Sequence, residues 1–327
     1  MSYWGTSEKG GTPLSAWEYR SLFLWNGLAF DKFFCPFCDI RLAACLIYSE
    51  GELSKSPHFA ARWEDHINGC DGEPIVVDAP ERKSPEAHYK PREMHFPEAL
   101  ADRPPPRKQR PPVMGNLPTP PTPTEITARR KKAVSLGSAV PKSYSLQPIV
   151  EACNVVVKDG YDQAKEKDWP EDERKSWVKK TLSAMPLRLN DATTYEDAFR
   201  SPAYIHIRHP RIYHGTGTIS FEQGSYVIES ARNGNMGGVQ LPFRVTVESG
   251  LVTESSPRSH AGLISTLNHF VADKQNLRWY AYGTPENIND ALPTRIRSLD
   301  HLYVKRAFVQ TPQSPPDASQ TKSPQRN

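Results

Sequence analysis

CPFCDIRLAACLIYSEGELSKSPHFAARWEDHINGC, residues 35–70, holds four of the five cysteines in a chain of 327 residues. Cys35 and Cys38 have the two-residue gap that lets both thiolates of a tight knuckle reach one ion. Phe33, Phe34 and Phe37 surround that knuckle and shield it from water. Alternating apolar residues predict a strand over Arg41–Tyr48 with a turn at Gly51. Ser56 as cap and Pro57 in the first turn predict a short helix over residues 57–70. On that helix His66 and Cys70, four apart, share a face. Two ligands from a knuckle and two from a helix close a tetrahedron and leave no position for water. The segment is therefore expected to hold one structural zinc ion through Cys35, Cys38, His66 and Cys70. His58 is the alternative to His66; the two stand about 12 Å apart along a regular helix, too far to share one ion. Cys45 and Cys153 read as small buried residues.

The same segment resembles the small zinc modules of bacterial competence-type and other DNA-associated proteins, where CPxC is followed by a strand and an HF dipeptide. Cys35-Pro36-Phe37-Cys38 and His58-Phe59 carry the likeness. The resemblance implies a nucleic-acid context. In such modules the histidine of the HF pair can itself be a ligand, which keeps His58 in play beside His66. Zinc modules also serve as protein-binding platforms.

Composition divides the rest of the chain. Residues 1–75 form the cysteine- and aromatic-rich module, and residues 76–145 carry nearly half of the 31 prolines. Proline gives no amide donor and bars the residue before it from helix, so a disordered, extended spacer is expected there. Arg103, Arg107, Lys108, Arg110, Arg129, Arg130, Lys131 and Lys132 punctuate it. Those cations read either as a solvated linker or as an arm that neutralises phosphates. Residues 310–327 are a polar tail expected to be disordered.

Residues 146–309 recover the pattern of a folded α+β domain. A helical stretch over 146–185 precedes strand candidates YIHIRHPRIYHG, TGTISFEQG, SYVIESARNG and VQLPFRVTVESG. HAGLISTLNHFVADK has helical spacing, and LRWYAYG and SLDHLYVKRAFV close the domain as strands. That order suits a β-rich, OB-like curled sheet with a helix at one end, among other α+β arrangements.

His206, Arg208, His209, Arg211 and His214 crowd one strand candidate and suit a phosphate or a second metal, or else a solvated face. Arg278, Tyr280 and Tyr282 interleave cation and ring, as surfaces that stack single-stranded bases do, though an ordinary sheet gives the same pattern. No phosphate loop, dinucleotide fingerprint, nucleophile elbow or HExxH occurs, so neither a nucleotide cofactor nor a reaction is indicated. The net charge of +4 is modest, and a mean hydropathy of −0.62 with no long apolar run points away from a membrane. Clustered cysteines and no secretory leader point to a soluble chain in a reducing compartment, cytoplasm or nucleus.

Three readings follow. The first is a non-enzymatic, zinc-containing nucleic-acid-binding protein for DNA or RNA. The second is a protein-interaction adaptor with a proline-rich tether. The third is a metal-dependent nuclease using the His/Arg strand.

Overall fold

The computed structural model describes residues 2–49, 53, 55–73, 96–101, 120–135, 140–252, 256 and 258–307. Arg107, Lys108, Arg110 and the expected tail at 310–327 lie outside the described residues.

The first residues are stitched into the cysteine-rich module. Ser2 exchanges both backbone hydrogen bonds with Phe59, and Thr6 does so with Phe34, all at 2.7–2.9 Å. Between them β1 (Trp4–Gly5) pairs with β2 (Leu14–Ser15), which leads into helix α1 (Ala16–Asn26). Ser15 and Glu18 form a reciprocal capping box: the Ser15 hydroxyl accepts from the Glu18 amide, and the Glu18 carboxylate accepts from the Ser15 amide at 2.8 Å. Gly27, left-handed at φ +64°, ends the helix.

Strands β3 (Phe33–Phe34), β4 (Arg41–Cys45) and β5 (His58–Ala60) make an antiparallel sheet. The helix expected over residues 57–70 is therefore absent. Ala43, Ala44 and Cys45 offer a free edge, and His58–Ala60 satisfy their backbone against it, leaving 61–70 to turns.

After β6 (Ala99–Leu100), residues placed by sequence in the extended spacer form helix α2 (Pro123–Ser135). Pro123 occupies a first-turn position whose amide needs no partner. Thr122 and Glu125 build a second capping box, with the Thr122 amide donating to Glu125 at 2.8 Å and the Glu125 amide donating back at 3.3 Å. Ile126 and Ala133, two turns apart on one face, are buried in the core of the cysteine module with Phe37, Phe59 and Tyr19.

After β7 (Lys142–Ser143), helices α3 (Leu146–Lys167) and α4 (Glu171–Ala184) pack as a hairpin broken at Trp169-Pro170. The pair β8 (Pro186–Leu189) and β9 (Ala192–Thr194) joins β6 and β7 in a small sheet of order β7-β6-β8-β9. A single turn α5 (Tyr195–Ala198) then leads to β10 (Phe199–Arg200).

The largest sheet is a curled half-barrel built on the twelve-residue β11 (Arg211–Glu222). Its partners are β12 (Ser225–Ser230), β15 (Phe243–Glu248), β16 (Leu277–Gly283), β17 (Leu292–Arg295) and β18 (Leu302–Arg306), in the order β17-β15-β12-β11-β16-β18, with β10 parallel to the start of β11. The hairpin β13 (Gly234–Met236) and β14 (Val239–Leu241) stands apart, and Pro242 separates it from β15. Gly217 sits where β11 changes partner from β16 to β12. A Cβ there would collide with the Glu229 carbonyl, so the close approach needs glycine.

Alternation along these strands sorts two cores. Tyr213, Ile228, Val245, Trp279 and Val304 turn inward, where helix α6 (Arg258–Asp273) fills the half-barrel with Leu267 and Phe270. Ile212 and Tyr280 turn outward against Ile149, Val150 and Val156 of α3. Trp17 of α1 and Leu53 lie in that same outer core. Among the described residues no helix is long and apolar enough to cross a membrane.

Where α1 meets α3, Arg20 is fully buried and bonds Glu151 through Nε at 2.7 Å and Nη2 at 2.9 Å. Removing one member of such a pair strands a charge. Arg20→Met is expected to lower the urea-unfolding free energy by about 3–5 kcal/mol, and the double change with Glu151→Met by clearly less, read by circular dichroism.

Candidate functional site

Four potential ligands meet in the module. The Cys35, Cys38 and Cys70 sulfurs and the His66 ring nitrogen all lie within 4.8 Å of one another. Three edges of that tetrahedron are 3.7 Å for Cys35 Sγ–Cys70 Sγ, 3.3 Å for Cys38 Sγ–His66 Nδ1 and 3.7 Å for Cys70 Sγ–His66 Nδ1. A tetrahedral ion with metal–sulfur bonds of about 2.3 Å and metal–nitrogen bonds of about 2.0–2.1 Å sets edges of about 3.8 and 3.6 Å. The cluster thus has the size of a cage that can hold one metal ion. The three cysteines are buried and His66 is half-buried.

Local backbone explains the convergence. Asp39 turns left-handed at φ +61°, its amide bonds the Cys35 carbonyl at 3.0 Å, and the Cys35 amide bonds the Ile40 carbonyl at 2.8 Å. These bonds fold Cys35 and Cys38 into a knuckle. On the other side a turn closes with the Cys70 amide on the Ile67 carbonyl at 2.9 Å. Gly72, at φ +82°, packs where a Cβ would press on the His66 ring and Ser2. His66 and Cys70 therefore meet through turns instead of a helix face. His58 lies outside the cluster: it is on β5 opposite Cys45, its Nδ1 against the Ser56 carbonyl at 3.1 Å.

Protonation follows the crowding of sulfur. Hydrogen bonds from Cys35 and then Cys70 favour the thiolate at Cys38, and Cys38 and Cys70 together push His66 up to about 9. A cation entering the cage releases these protons.

Helix α2 clamps both knuckles. Arg129 reaches Asp39, the residue after Cys38, at 2.9 Å. Arg130 spans the other side, donating to the Glu73 carbonyl at 2.6 Å, the Gly69 carbonyl at 3.1 Å and the Asp71 carboxylate at 2.6 Å. Two of the four basic residues read as a phosphate-neutralising run thus serve the cage, while Lys131 and Lys132 are exposed on α2.

A second feature lies on the outer face of the half-barrel. Below the α3–α4 hairpin is a cleft of about 410 Å³, walled by Cys153, Asn154 and Val157 of α3, Val178 and Leu182 of α4, Phe199, and His214 and Tyr280 of the sheet. Arg174, Lys175, Lys179 and Arg278 line it against one acid, Glu196. His214 and Tyr280 stack at 5.8 Å and 25°, and the Arg278 guanidinium lies 5.6 Å from the Tyr280 ring centre. Burial first, and then Arg278 and Arg232, push His214 down to about 4. Burial pushes the Cys153 thiol up to about 12, so it stays protonated.

The remaining predicted residues lie elsewhere. Residues 201–210 form turns and bends, not a strand, and β11 starts only at Arg211, after Pro210. Arg208 is exposed in that loop. Arg211 is buried and fixed on Asp191 by bonds of 2.7 and 2.9 Å. The His206 and His209 rings lie 5.5 Å apart, tilted by 34°, with His209 also 3.7 Å from Asp191. Tyr282 accepts from Asn190 at 2.8 Å and meets His301 edge-on. Of the residues the sequence singles out, Arg278, Tyr280 and His214 come together at this cleft. Lys175, Lys179 and Phe199 join them from sequence-distant segments that carry no motif.

Against known proteins, the chain matches no family model, no curated protein and no solved structure.

Two measurements test these geometries. Cys38→Ser or Cys70→Ser is expected to abolish stoichiometric metal uptake. Arg130→Ala is expected to weaken it about 10- to 100-fold, in titration against a chromophoric chelator. For His214, the unfolded chain takes up a proton near pH 6.5 and the folded chain only near 4. Its contribution to stability is therefore lost as pH falls through that window. Glu18 and Glu73, both pushed up to about 7 by burial, act in the opposite direction. The test is thus a difference: His214→Gln should lose less stability than the wild type between pH 7 and 4.5, by on the order of 1–2 kcal/mol.

Proposed function

We propose that the chain is a non-enzymatic nucleic-acid-binding protein whose N-terminal module is ordered by one structural zinc ion. Three thiolates and an imidazole are the donor set zinc takes in closed structural sites, and no fifth position is left for a reacting water. The CPxC knuckle followed by β4 supports this reading, while His58 of the HF pair stands outside the cage and His66 takes the histidine's place.

The observation that carries the binding reading is the basic cleft. Arg278 and Tyr280, foreseen as a base-stacking pair, meet His214 and three cations of α4 there, against the single carboxylate of Glu196. Clustered cations attract phosphates by releasing counterions, and accessible ring surface, here on the half-buried His214 and Phe199, attracts bases. Arg129 and Arg130 contribute to the metal cage, which leaves Lys131 and Lys132 as the exposed cations of α2 and makes the cleft the favoured contact surface.

Binding to DNA or RNA should weaken steeply as salt rises, and Arg278→Ala and Lys179→Ala should each flatten the slope of log K against log salt by about one. Fluorescence anisotropy over a salt series measures this, and affinity indifferent to salt contradicts the reading. Cys70→Ser protein separates the two halves of the proposal, because it loses zinc whether or not the cleft binds.

A further inference from the structure

The cleft combines a ring floor with a cationic rim in a space of about 410 Å³. We infer that it accepts one unpaired nucleotide of a single strand, its base against the half-buried rings of His214 and Phe199, which Tyr280 backs from below, and its phosphates on Lys179 and Arg278. This rests on the nucleic-acid reading and narrows it to a substrate class.

Shape and charge are arranged in layers. Tyr280 is buried at the base, Phe199 and His214 are half-buried, and Lys175, Lys179 and Arg278 are exposed around the opening. A volume of about 410 Å³ falls in the range of sites for single small molecules, about 300–1,000 Å³. A duplex keeps its bases stacked inside and offers a backbone to a surface, so it has no group that enters such a space. An unpaired nucleotide has both a ring for the floor and an anion for the rim.

The floor is preorganised. His214 is already stacked on Tyr280, and Phe199 lies 6.2 Å from His214 at 57°. The Tyr280 hydroxyl reaches Asn154 at 3.5 Å, which ties the sheet to α3 across the cleft. The rim is divided between engaged and available cations. Lys175 and Arg174 both contact Glu171, and Arg174 also lies 3.8 Å over the Tyr161 ring. Lys179 and Arg278 have no carboxylate at ion-pair distance among the described residues, and Glu196 itself sits 3.9 Å from Arg200.

The test uses the full chain, loaded with zinc, and a short labelled oligonucleotide, single-stranded or annealed to its complement, in low salt. The single strand should bind at least about tenfold tighter, the lower part of what stacking one base supplies. Arg278→Ala and Lys179→Ala, both at exposed positions, should each cost about three- to tenfold in that affinity. In parallel, adenosine 5′-monophosphate should shift the His214 ring resonances, and ribose 5-phosphate should do so much less. Equal affinity for strand and duplex overturns this inference and leaves the nucleic-acid reading standing. No binding to either overturns both. Equal shifts from the two small molecules overturn the base-on-ring assignment, and a polyglutamate peptide binding as tightly as the strand overturns the nucleotide assignment.

Discussion

The Arg20–Glu151 pair is the contact on which the arrangement of the whole molecule turns. Burying two charges costs several kcal/mol per ion unless each polar atom finds a partner. Here both find them: Nε and Nη2 of Arg20 go to the two Glu151 oxygens, and Nη1 reaches the carbonyls of Leu46, Ile47 and Ser49 at 3.2, 3.4 and 2.7 Å. Gln147 adds a third donor to Glu151 at 3.0 Å. One guanidinium therefore fixes α1, the chain leaving β4 and α3 in a single geometry. A lysine offers one compact charge and no planar fork, and could not span those three segments.

That junction makes the metal cage part of a larger architecture. The segment from Leu46 to Ser49 follows β4, which itself follows the Cys35–Cys38 knuckle. From the other side, α2 reaches both knuckles through Arg129 and Arg130 and buries Ile126 and Ala133 in the module core. The cage is thus enclosed by sequence that lies some ninety residues beyond Cys38, as the Arg129–Asp39 separation of 90 positions records. Outer contacts of this kind orient ligands and raise metal affinity without touching the ion.

How much of this was legible in the sequence depends on how local each cause is. The four ligands could be read because CxxC and HxxxC are short-range patterns with a fixed chemical meaning. The path between them could not: Ser56-Pro57 is good helix-opening chemistry, but pairing of His58–Ala60 with β4 overrode it. Helices α1 and α2 did leave a mark, the boxes Ser15-x-x-Glu18 and Thr122-x-x-Glu125, which the density of prolines and aromatics obscured. The alternation that predicted β11, β12, β15, β16 and β18 was sound because each has one face in the half-barrel core. Strand β17 and the two residues of β10 pair in parallel and are too short to show a period, so only the fold reveals them. The outer cleft was half legible. Arg278 and Tyr280 stood out on one strand, but the cations facing them come from α4, a helix whose lysines look like an ordinary solvated face.

Helix α3 joins the two sites through different faces of one rod. Gln147 and Glu151, one turn apart, look toward α1 and hold Arg20. Cys153 and Val157 lie around the helix from them, Asn154 continues their own face two turns after Gln147, and the three form a wall of the cleft. Its packing on Ile212 and Tyr280 then sets the height of the ring floor relative to that wall. The cysteine-rich module and the cleft are thus both packed against one helix, α3.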